Sequence, residues 1–132
     1  MDLTSIDGLI VLPTQHTVAD ILTRTVSIAQ AKGLTVFAQI DFSGDAARSN
    51  LNMRPTGLVI LGNPIAGTPL MVATPTAAID LPLKILAFED AEGRTWVAYN
   101  DPKFLQRRHG FPEALVKNIA SIAALAQAVA GG

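Results

Sequence analysis

The sequence contains no cysteine, few aromatic residues and few charges. Of its 132 residues, 5% are aromatic and 16% are charged, whereas about a quarter are charged in an average soluble domain. The absence of cysteine excludes disulfides, thiolate metal sites and cysteine nucleophiles. With only two histidines in addition, the sequence predicts no metal site, and no motif in it indicates a cofactor.

An excess of positive charge is also missing. The 10 lysines and arginines nearly balance the 11 acidic residues, for a net charge of -1 and an isoelectric point of about 6.0. Nucleic-acid-binding proteins usually carry a basic excess, because phosphate contacts dominate their affinity. The most basic stretch, 103–117, is flanked or interrupted by Asp101 and Glu113 and is typical of a solvated helix face. We therefore expect no nucleic-acid partner.

Long apolar runs and a leader pattern are lacking as well. An acidic residue stands at position 2, and no basic segment precedes an apolar core, so a signal peptide is not predicted. The longest apolar stretch, 119–130, is interrupted by Ser121 and Gln127 and is too short for a transmembrane helix. These features predict a cytoplasmic protein without a membrane partner.

What the chain does contain is apolar residues, at 49% of the total. Such a composition excludes intrinsic disorder, which requires polar and charged sequence. A chain of this length is expected to form one domain over residues 1–132. It can bury roughly two-thirds of its unfolded surface and needs no covalent staples.

Apolar periodicity predicts alternating strands and helices. Strands are expected at 6–12, 34–41, 58–61, 83–89 and 94–100. Helices are expected at 17–32, 43–50, 70–73, 76–79, 101–108 and from Pro112 onward. The turn at 90–93 joins two strands as a hairpin, which requires antiparallel pairing. The order predicts an α+β fold: a five-stranded, mainly antiparallel sheet with helices on one face, arranged strand, helix, four strands, helix, with short extra helices.

The loop from Gly62 to Pro69 is the first candidate site. A strand is followed there by Gly62-Asn63-Pro64, and Thr68-Pro69 is typical of a cap residue followed by the first residue of a helix. Free backbone N–H groups at a helix N-terminus can bind an anion. The alternative is a plain turn with glycines at positions of positive φ.

Lys84 and Asp101 are further candidates. Lys84 shares a strand face with Leu86 and Phe88, where its pKa can fall and the amine can act as a base or an anion clamp. Alternatively, its stem packs and the ammonium reaches water. Asp101 precedes Pro102 and is best explained as a helix N-cap, with a catalytic carboxylate as the alternative.

Other polar residues are explained by turns. Asp41 and Asp80 follow or precede strands, and His16 and His109 are expected as surface turn residues. Local spacing places no two acidic residues as an acid–base pair. The chain also has no G-x-S-x-G nucleophile elbow.

Three segments together resemble a known family. They are Arg54-Pro55-Thr56 followed by Leu61-Gly62-Asn63-Pro64, then Ile79-Asp80-Leu81-Pro82-Leu83-Lys84, and then Tyr99-Asn100-Asp101-Pro102. Their order and spacing resemble the bacterial and archaeal family called domain of unknown function 302, over about residues 8 to 112. The resemblance implies a fold similar to the TATA-binding-protein-like class, without implying DNA binding.

One departure from this family pattern concerns Phe42. The pattern often has Ile-Asp-His after the second strand, where this chain has Ile40-Asp41-Phe42. Because a phenyl ring neither ligates a metal nor carries a proton, no role for that imidazole transfers to this chain. The polar residues that match the pattern are Asp41, Asn63, Lys84, Asn100 and Asp101.

These observations favour a small homodimeric domain that binds a small molecule or an anion near the Gly-Asn-Pro loop. The candidate ligand-binding residues are Asp41, Gly62, Asn63, Lys84, Asn100 and Asp101. One alternative is a non-catalytic homo-oligomeric module that associates through the C-terminal helix or a sheet face, since the chain carries no charge after Lys117. Another is a small enzyme that uses Lys84 with Asp41 or Asp101 as acid and base.

Overall fold

The computed structural model describes residues 2–131, apart from the side chain of Thr4. Its strands are β1 Leu9–Thr14, β2 Thr35–Asp41, β3 Thr56–Gly62, β4 Leu83–Glu89 and β5 Thr95–Asn100. Its helices are α1 Val18–Ala31, α2 Phe42–Arg48, α3 Pro64–Ala73, α4 Pro102–His109 and α5 Ile122–Ala130. Short 3-10 helices cover Leu3–Ser5, Pro75–Ile79 and Glu113–Asn118.

The five strands form one sheet in the order β1-β5-β4-β3-β2, and every neighbouring pair is antiparallel. The predicted α+β class and the five-stranded antiparallel sheet are therefore confirmed. The hairpin between β4 and β5 also forms, with Asp90 as its turn acceptor: its carboxylate accepts from the backbone N–H groups of Glu92 and Arg94 at 2.9 Å.

Helix α1 forms where the sequence predicts it. The Thr17 hydroxyl accepts the N–H of Asp20 at 3.1 Å and so caps the first turn. Helical spacing brings Val18, Ile21, Thr25 and Ala29 to one buried face. Gly33 follows the last turn with φ of 75°, a left-handed conformation that glycine adopts without strain.

One face of the sheet carries the main core. Helices α1 and α5 pack together on this face. The strands contribute the alternate residues that point to these helices: Val59, Leu61, Ile85, Ala87, Val97 and Tyr99. A second core cluster, around Leu70, Leu105, Phe111 and Ile119, covers one end of the sheet and meets the first at Leu83.

The opposite face, here called the open face, is largely apolar, and among the described residues it carries no helix of either core cluster. Its central row runs across all five strands through Val11, Ala98, Leu86, Leu58 and Ile40. None of these residues belongs to either core cluster. Ala98 is 1% exposed, and the other four residues of the row are half-buried.

Burial alternates along the whole of β2, but the pairing register shifts at one point. Val36 pairs with the core residue Leu61, but Ala38 pairs with Ile60 on the open face, and the register shifts between them. This bulge leaves Phe37 unpaired and 48% exposed. A bulge adds one residue to one strand, so the side chains on either side of it change face.

The prediction of a single helix from Pro112 onward is wrong. This segment divides into the 3-10 helix Glu113–Asn118 and α5. Ile119 belongs to the second core cluster, whereas Ile122 belongs to the first. The break between the two helices thus coincides with the change from one core cluster to the other.

Helix α5 packs against α1, β1 and β5 and is held at its C-terminal end. Arg24 donates to the carbonyls of Ala128, Val129 and Gly131 at 2.9–3.0 Å. A cation there complements the negative end of the helix dipole.

One stretch, Glu113–Ala130, is long and apolar enough to cross a membrane by length and composition alone. A buried core helix meets the same two criteria. In this fold, four side chains of α5 lie in the main core: Ile122, Leu125, Ala126 and Val129. The cytoplasmic location expected from the sequence stays a prediction.

Candidate functional site

A cavity of about 370 Å³ lies at the end of the sheet where β3 finishes and β4 begins. We call it the Gly62 cavity. Its wall comes from the ends of β3 and β4, from the first two turns of α3, and from the junction between Asn118 and α5. The lining residues are Leu34, Phe37, Leu61, Gly62, Asn63, Pro64, Ala66, Gly67, Thr68, Met71, Leu81, Pro82, Leu83, Asn118, Ile119, Ser121, Ile122 and Leu125.

Two features of the sequence shape this wall. Asn63 ends β3 and starts α3 immediately, because its side chain accepts the N–H of Ile65 at 2.9 Å. On the other side, the peptide bond between Leu81 and Pro82 is cis and turns the chain into β4. Asn118 ties the C-terminal segment to α3, since its amide donates to the Ala66 carbonyl at 3.0 Å.

The prediction that Thr68-Pro69 begins a helix is wrong. Helix α3 starts at Pro64, with Asn63 as its N-cap, and Pro69 lies inside it. Asn63 also receives the N–H groups of Ala66 and Gly67 on its backbone carbonyl, at 3.0 and 2.8 Å. The N–H groups expected to bind an anion are therefore already bonded, and an anion would have to compete with the helix itself.

None of the residues that line the Gly62 cavity is acidic, basic or a histidine. Its polar members are Asn63, Thr68, Asn118 and Ser121, and all except Asn118 are exposed at the mouth. The Asn63 amide nitrogen and the Asn118 amide oxygen are the ends of these side chains not used in the bonds above. Such a wall can bury an apolar body and bond one or two polar groups.

Asp41 does not lie near this cavity. It pairs with Gly57, whereas Gly62 pairs with Thr35, so the two sites stand five strand residues apart, about 17 Å. Asp41 caps α2 through the Gly44 N–H, and this bond, with a second from the Ser43 hydroxyl, lowers the pKa of its carboxyl. The neighbouring Phe42 is 37% exposed at the same distant end.

Lys84 lies near the cavity along the strand but on the other face of the sheet. It pairs with Ile60 on the open face, whereas the adjacent Leu83 pairs with Leu61 on the cavity side. Its ammonium donates to the backbone carbonyls of Pro82 at 2.9 Å and Asp80 at 3.3 Å. Burial lowers the pKa of Lys84, with the charge of Asp80 acting in the opposite direction.

Asn100 and Asp101 lie at the same end of the sheet without lining the cavity. Asn100 pairs with Leu9 at the end of β5. The carboxylate of Asp101 accepts the N–H of Lys103 at 3.0 Å, which confirms its predicted role as an N-cap. Among the bonds of the described residues, none joins Lys84 to Asp41 or Asp101.

Of the six residues predicted from the sequence, only Gly62 and Asn63 line the cavity. The main residues that sequence reasoning missed are Asn118, Ser121 and the Leu81–Pro82 pair. Leu81 and Pro82 lie within one of the family-like segments. Ser121 interrupts the apolar stretch 119–130 and Asn118 immediately precedes it, which is the signal that could have singled them out.

His109 is not the surface turn residue that the sequence predicts. Its side chain is 5% exposed, and its Nε2 lies 2.5 Å from a carboxylate oxygen of Asp80. Residues 2–131 contain no group of three or more potential metal-ligating side chains of the acidic, cysteine and histidine types.

Comparison with known proteins gives two kinds of relative. The chain is 39% identical over 102 residues to "Fluoride-specific ion channel FluC 1" of Brucella suis and to the protein of the same name in Brucella abortus. The alignments cover 77% of this chain but only 40% and 38% of those proteins. The chain thus spans about two-fifths of the length of these relatives.

A solved structure shares the whole fold. "Crystal structure of uncharacterized conserved protein DUF302 from Bacillus stearothermophilus" matches with a TM-score of 0.76 at 16% identity, over 94% of this chain and 96% of that one. At this identity the likeness concerns the fold alone. The model of the family "Domain of unknown function DUF302" matches residues 10–129. This chain therefore belongs to the DUF302 family.

Proposed function

We propose that this protein is a homodimeric domain that binds a small, uncharged, largely apolar molecule in the Gly62 cavity. The observation that supports this most is the lining of the cavity, which combines a volume of about 370 Å³ with the absence of any charged side chain. Pockets of about 300–1,000 Å³ accommodate small organic ligands.

The charge of the ligand follows from the cost of burial. A charged group in this cavity would lose water without gaining a countercharge, which is strongly unfavourable. An uncharged ligand loses little and gains the burial of its apolar surface, at about 25 cal/mol per Å². Asn63 and Asn118 offer it one donor and one acceptor.

Gly67 provides a direct test. It lines the cavity, and a Cβ atom added there meets nothing within 4 Å, so a larger side chain would fill ligand space without a backbone clash. We expect the neutral fluorophore N-phenylnaphthylamine to bind with increased fluorescence and Gly67→Leu to weaken this binding at least about tenfold. Val72→Leu is the matched control, because Val72 is on the same helix, 77% exposed and outside the cavity.

The outcomes separate the alternatives. Equal binding by wild type and Gly67→Leu would refute the cavity as the site. Displacement of the fluorophore by inorganic phosphate would favour the anion ligand instead. Loss of binding in Val72→Leu as well would indicate that α3 as a whole is disturbed and would contradict a role for the cavity alone.

The open face supports the homodimer. The open face is four strand spacings wide, at about 4.8 Å each, and about six residues long, at about 3.3 Å each, so its footprint is about 400 Å². Most of this footprint is apolar, and its area lies within the roughly 300–600 Å² of the largest apolar patch on a typical monomer, a patch that is often functional. With a net charge of only -1, two copies repel each other weakly. A second copy fits because two apolar sheet faces can stack about 10 Å apart.

The C-terminal helix is the weaker of the two dimer surfaces considered. The exposed residues of α5 include Ala124, Gln127 and Ala128, which offer little apolar area. We expect wild type to be a dimer in sedimentation analysis, Leu86→Arg on the open face to be a monomer, and Gln127→Arg to remain a dimer. A monomeric wild type would refute dimerisation, and a monomeric Gln127→Arg would favour the helix.

A second candidate function is supported by the Brucella relatives. Because the chain matches only part of proteins named fluoride-specific ion channels, it is a candidate for a regulatory module that acts with such a channel. We expect removal of the matched segment from the Brucella suis protein to change fluoride efflux from vesicles. An unchanged efflux rate, with and without N-phenylnaphthylamine, would contradict this second function.

A further inference from the structure

Outside the Gly62 cavity, the side chains of Thr76, His109 and Asp80 form a continuous hydrogen-bonded line. The Thr76 hydroxyl lies 3.0 Å from Nδ1 of His109, and Nε2 of His109 lies 2.5 Å from Oδ2 of Asp80. The three residues come from two separate segments: the 3-10 helix Pro75–Ile79 with the residue after it, and the end of α4. Thr76 is exposed, whereas the His109 side chain is nearly buried.

The chemistry of the partners fixes the direction of these bonds. An ionised carboxylate can only accept, so Nε2 of His109 donates to Asp80. In the neutral imidazole Nδ1 is then the acceptor, and the Thr76 hydroxyl must donate to it. Arg108 donates to both oxygens of the same carboxylate, at 3.1 Å to Oδ1 and 2.9 Å to Oδ2. The imidazole is therefore held in the tautomer that can take a proton from Thr76.

We propose that Thr76 is a nucleophile activated by His109, and that this cluster transfers or hydrolyses the acyl group of activated carboxylic esters. A hydroxyl bonded to a base that a third group orients is the general arrangement of an activated nucleophile.

The surroundings of Thr76 indicate the class of acyl group. Side chains three residues apart in a 3-10 helix lie on one face, so Ile79 stands beside Thr76. The Ile79 side chain is 72% exposed and offers apolar surface next to the hydroxyl. The fitting substrates are esters with a small apolar acyl group and a good leaving alcohol.

The reaction balances without a cofactor. The Thr76 oxygen attacks the ester carbonyl carbon as its proton passes to Nδ1 of His109. The bond from that carbon to the leaving oxygen breaks, and the departing alcohol takes the proton from His109. Water then attacks the acyl-Thr76 ester by the same route, which releases the carboxylic acid and restores the hydroxyl.

The test uses p-nitrophenyl acetate with the full chain. We expect nitrophenolate release above the buffer rate and an acetyl group on the peptide that contains Thr76, found by mass spectrometry. Thr76→Val keeps the shape without the hydroxyl and should lower the rate at least about 100-fold, the lower range for a positioned base. Thr76→Ser should retain activity, and Thr23→Val, another exposed threonine, should match wild type.

Two results would overturn this proposal. One is a wild-type rate in Thr76→Val, and the other is acetylation confined to lysines. Because Thr76 is exposed, the fold of the valine variant is expected to be intact, and Thr76→Ala with its circular dichroism spectrum provides a second check. Neither result depends on the Gly62 cavity, which lacks Thr76, His109 and Asp80.

Discussion

Arg24 provides the sharpest test of how α5, and with it one wall of the Gly62 cavity, is held in place. Its guanidinium makes three hydrogen bonds to the last carbonyls of α5, at 2.9–3.0 Å, across more than 100 residues of sequence. The perturbation is Arg24→Met, which keeps much of the apolar stem and removes the donors.

The expected magnitude follows from the bonds removed. Hydrogen bonds from a charged group contribute about 1.5–3 kcal/mol when shielded, and a cation at a helix C-terminus contributes about 0.3–1 kcal/mol. The three bonds share one half-buried side chain, and water can replace some of them. We therefore expect the free energy of unfolding to fall by about 2 kcal/mol, with a fall in Tm of about 8 °C for a domain of this size.

The assay is urea unfolding followed by circular dichroism. Arg48→Met is the matched control, because Arg48 makes an ion pair with Asp45 and both side chains are largely exposed. Such a surface pair is worth about 0–1 kcal/mol. The free energy of unfolding of Arg24→Lys should lie between those of Arg24→Met and wild type, since an ammonium cannot reproduce the planar arrangement of guanidinium donors. A loss below about 0.5 kcal/mol in Arg24→Met, or equal to that of the control, would refute the reasoning.

Three further predictions follow from single residues. Burial lowers the pKa of Lys84, so between that lowered pKa and 10.5 the folded state binds fewer protons than the unfolded state, and the free energy of unfolding should rise with pH. Lys84→Met should abolish this rise when unfolding is measured as a function of pH. An unchanged slope in the variant would contradict the prediction. The Trp96 indole and two backbone N–H groups lower the pKa of Asp90 below 3.8. The stability that the ionised Asp90 contributes is therefore present above pH 3.8 and lost as pH falls through the lowered pKa. Fluorescence of the single tryptophan should report that transition, and Asp90→Asn should remove it. Gly33→Ala should cost about 1 kcal/mol in thermal unfolding because an alanine is strained at φ of 75°, and no loss would indicate that the backbone relaxes freely.

The candidate site was only partly predictable, for a physical reason. Each predicted residue was judged by its own strand or loop, but a cavity depends on which strand ends meet. Antiparallel pairing brings the end of β3 and the start of β4 together and carries Asp41 to the opposite end. The alternation of β4 also puts Lys84 on the face away from Leu83, so residues adjacent in sequence serve different surfaces.

The sequence by itself determined the elements. Alternation and helical periodicity are local signals, so the five strands, α1, and the Asp101 cap of α4 could be predicted. The family could also be predicted, because its Gly-Asn-Pro and Asp-Leu-Pro-Leu-Lys segments are read directly from the chain.

Only the tertiary structure decided the bulge at Phe37, the break before α5, and the contact of His109 with Asp80. It also decided where uncharged side chains gather: they line the Gly62 cavity, and they form the central row of the open face. Each of these features depends on residues far apart in the sequence. Local propensity does not encode such contacts, because they form only when the packing of the whole sheet sets the partners.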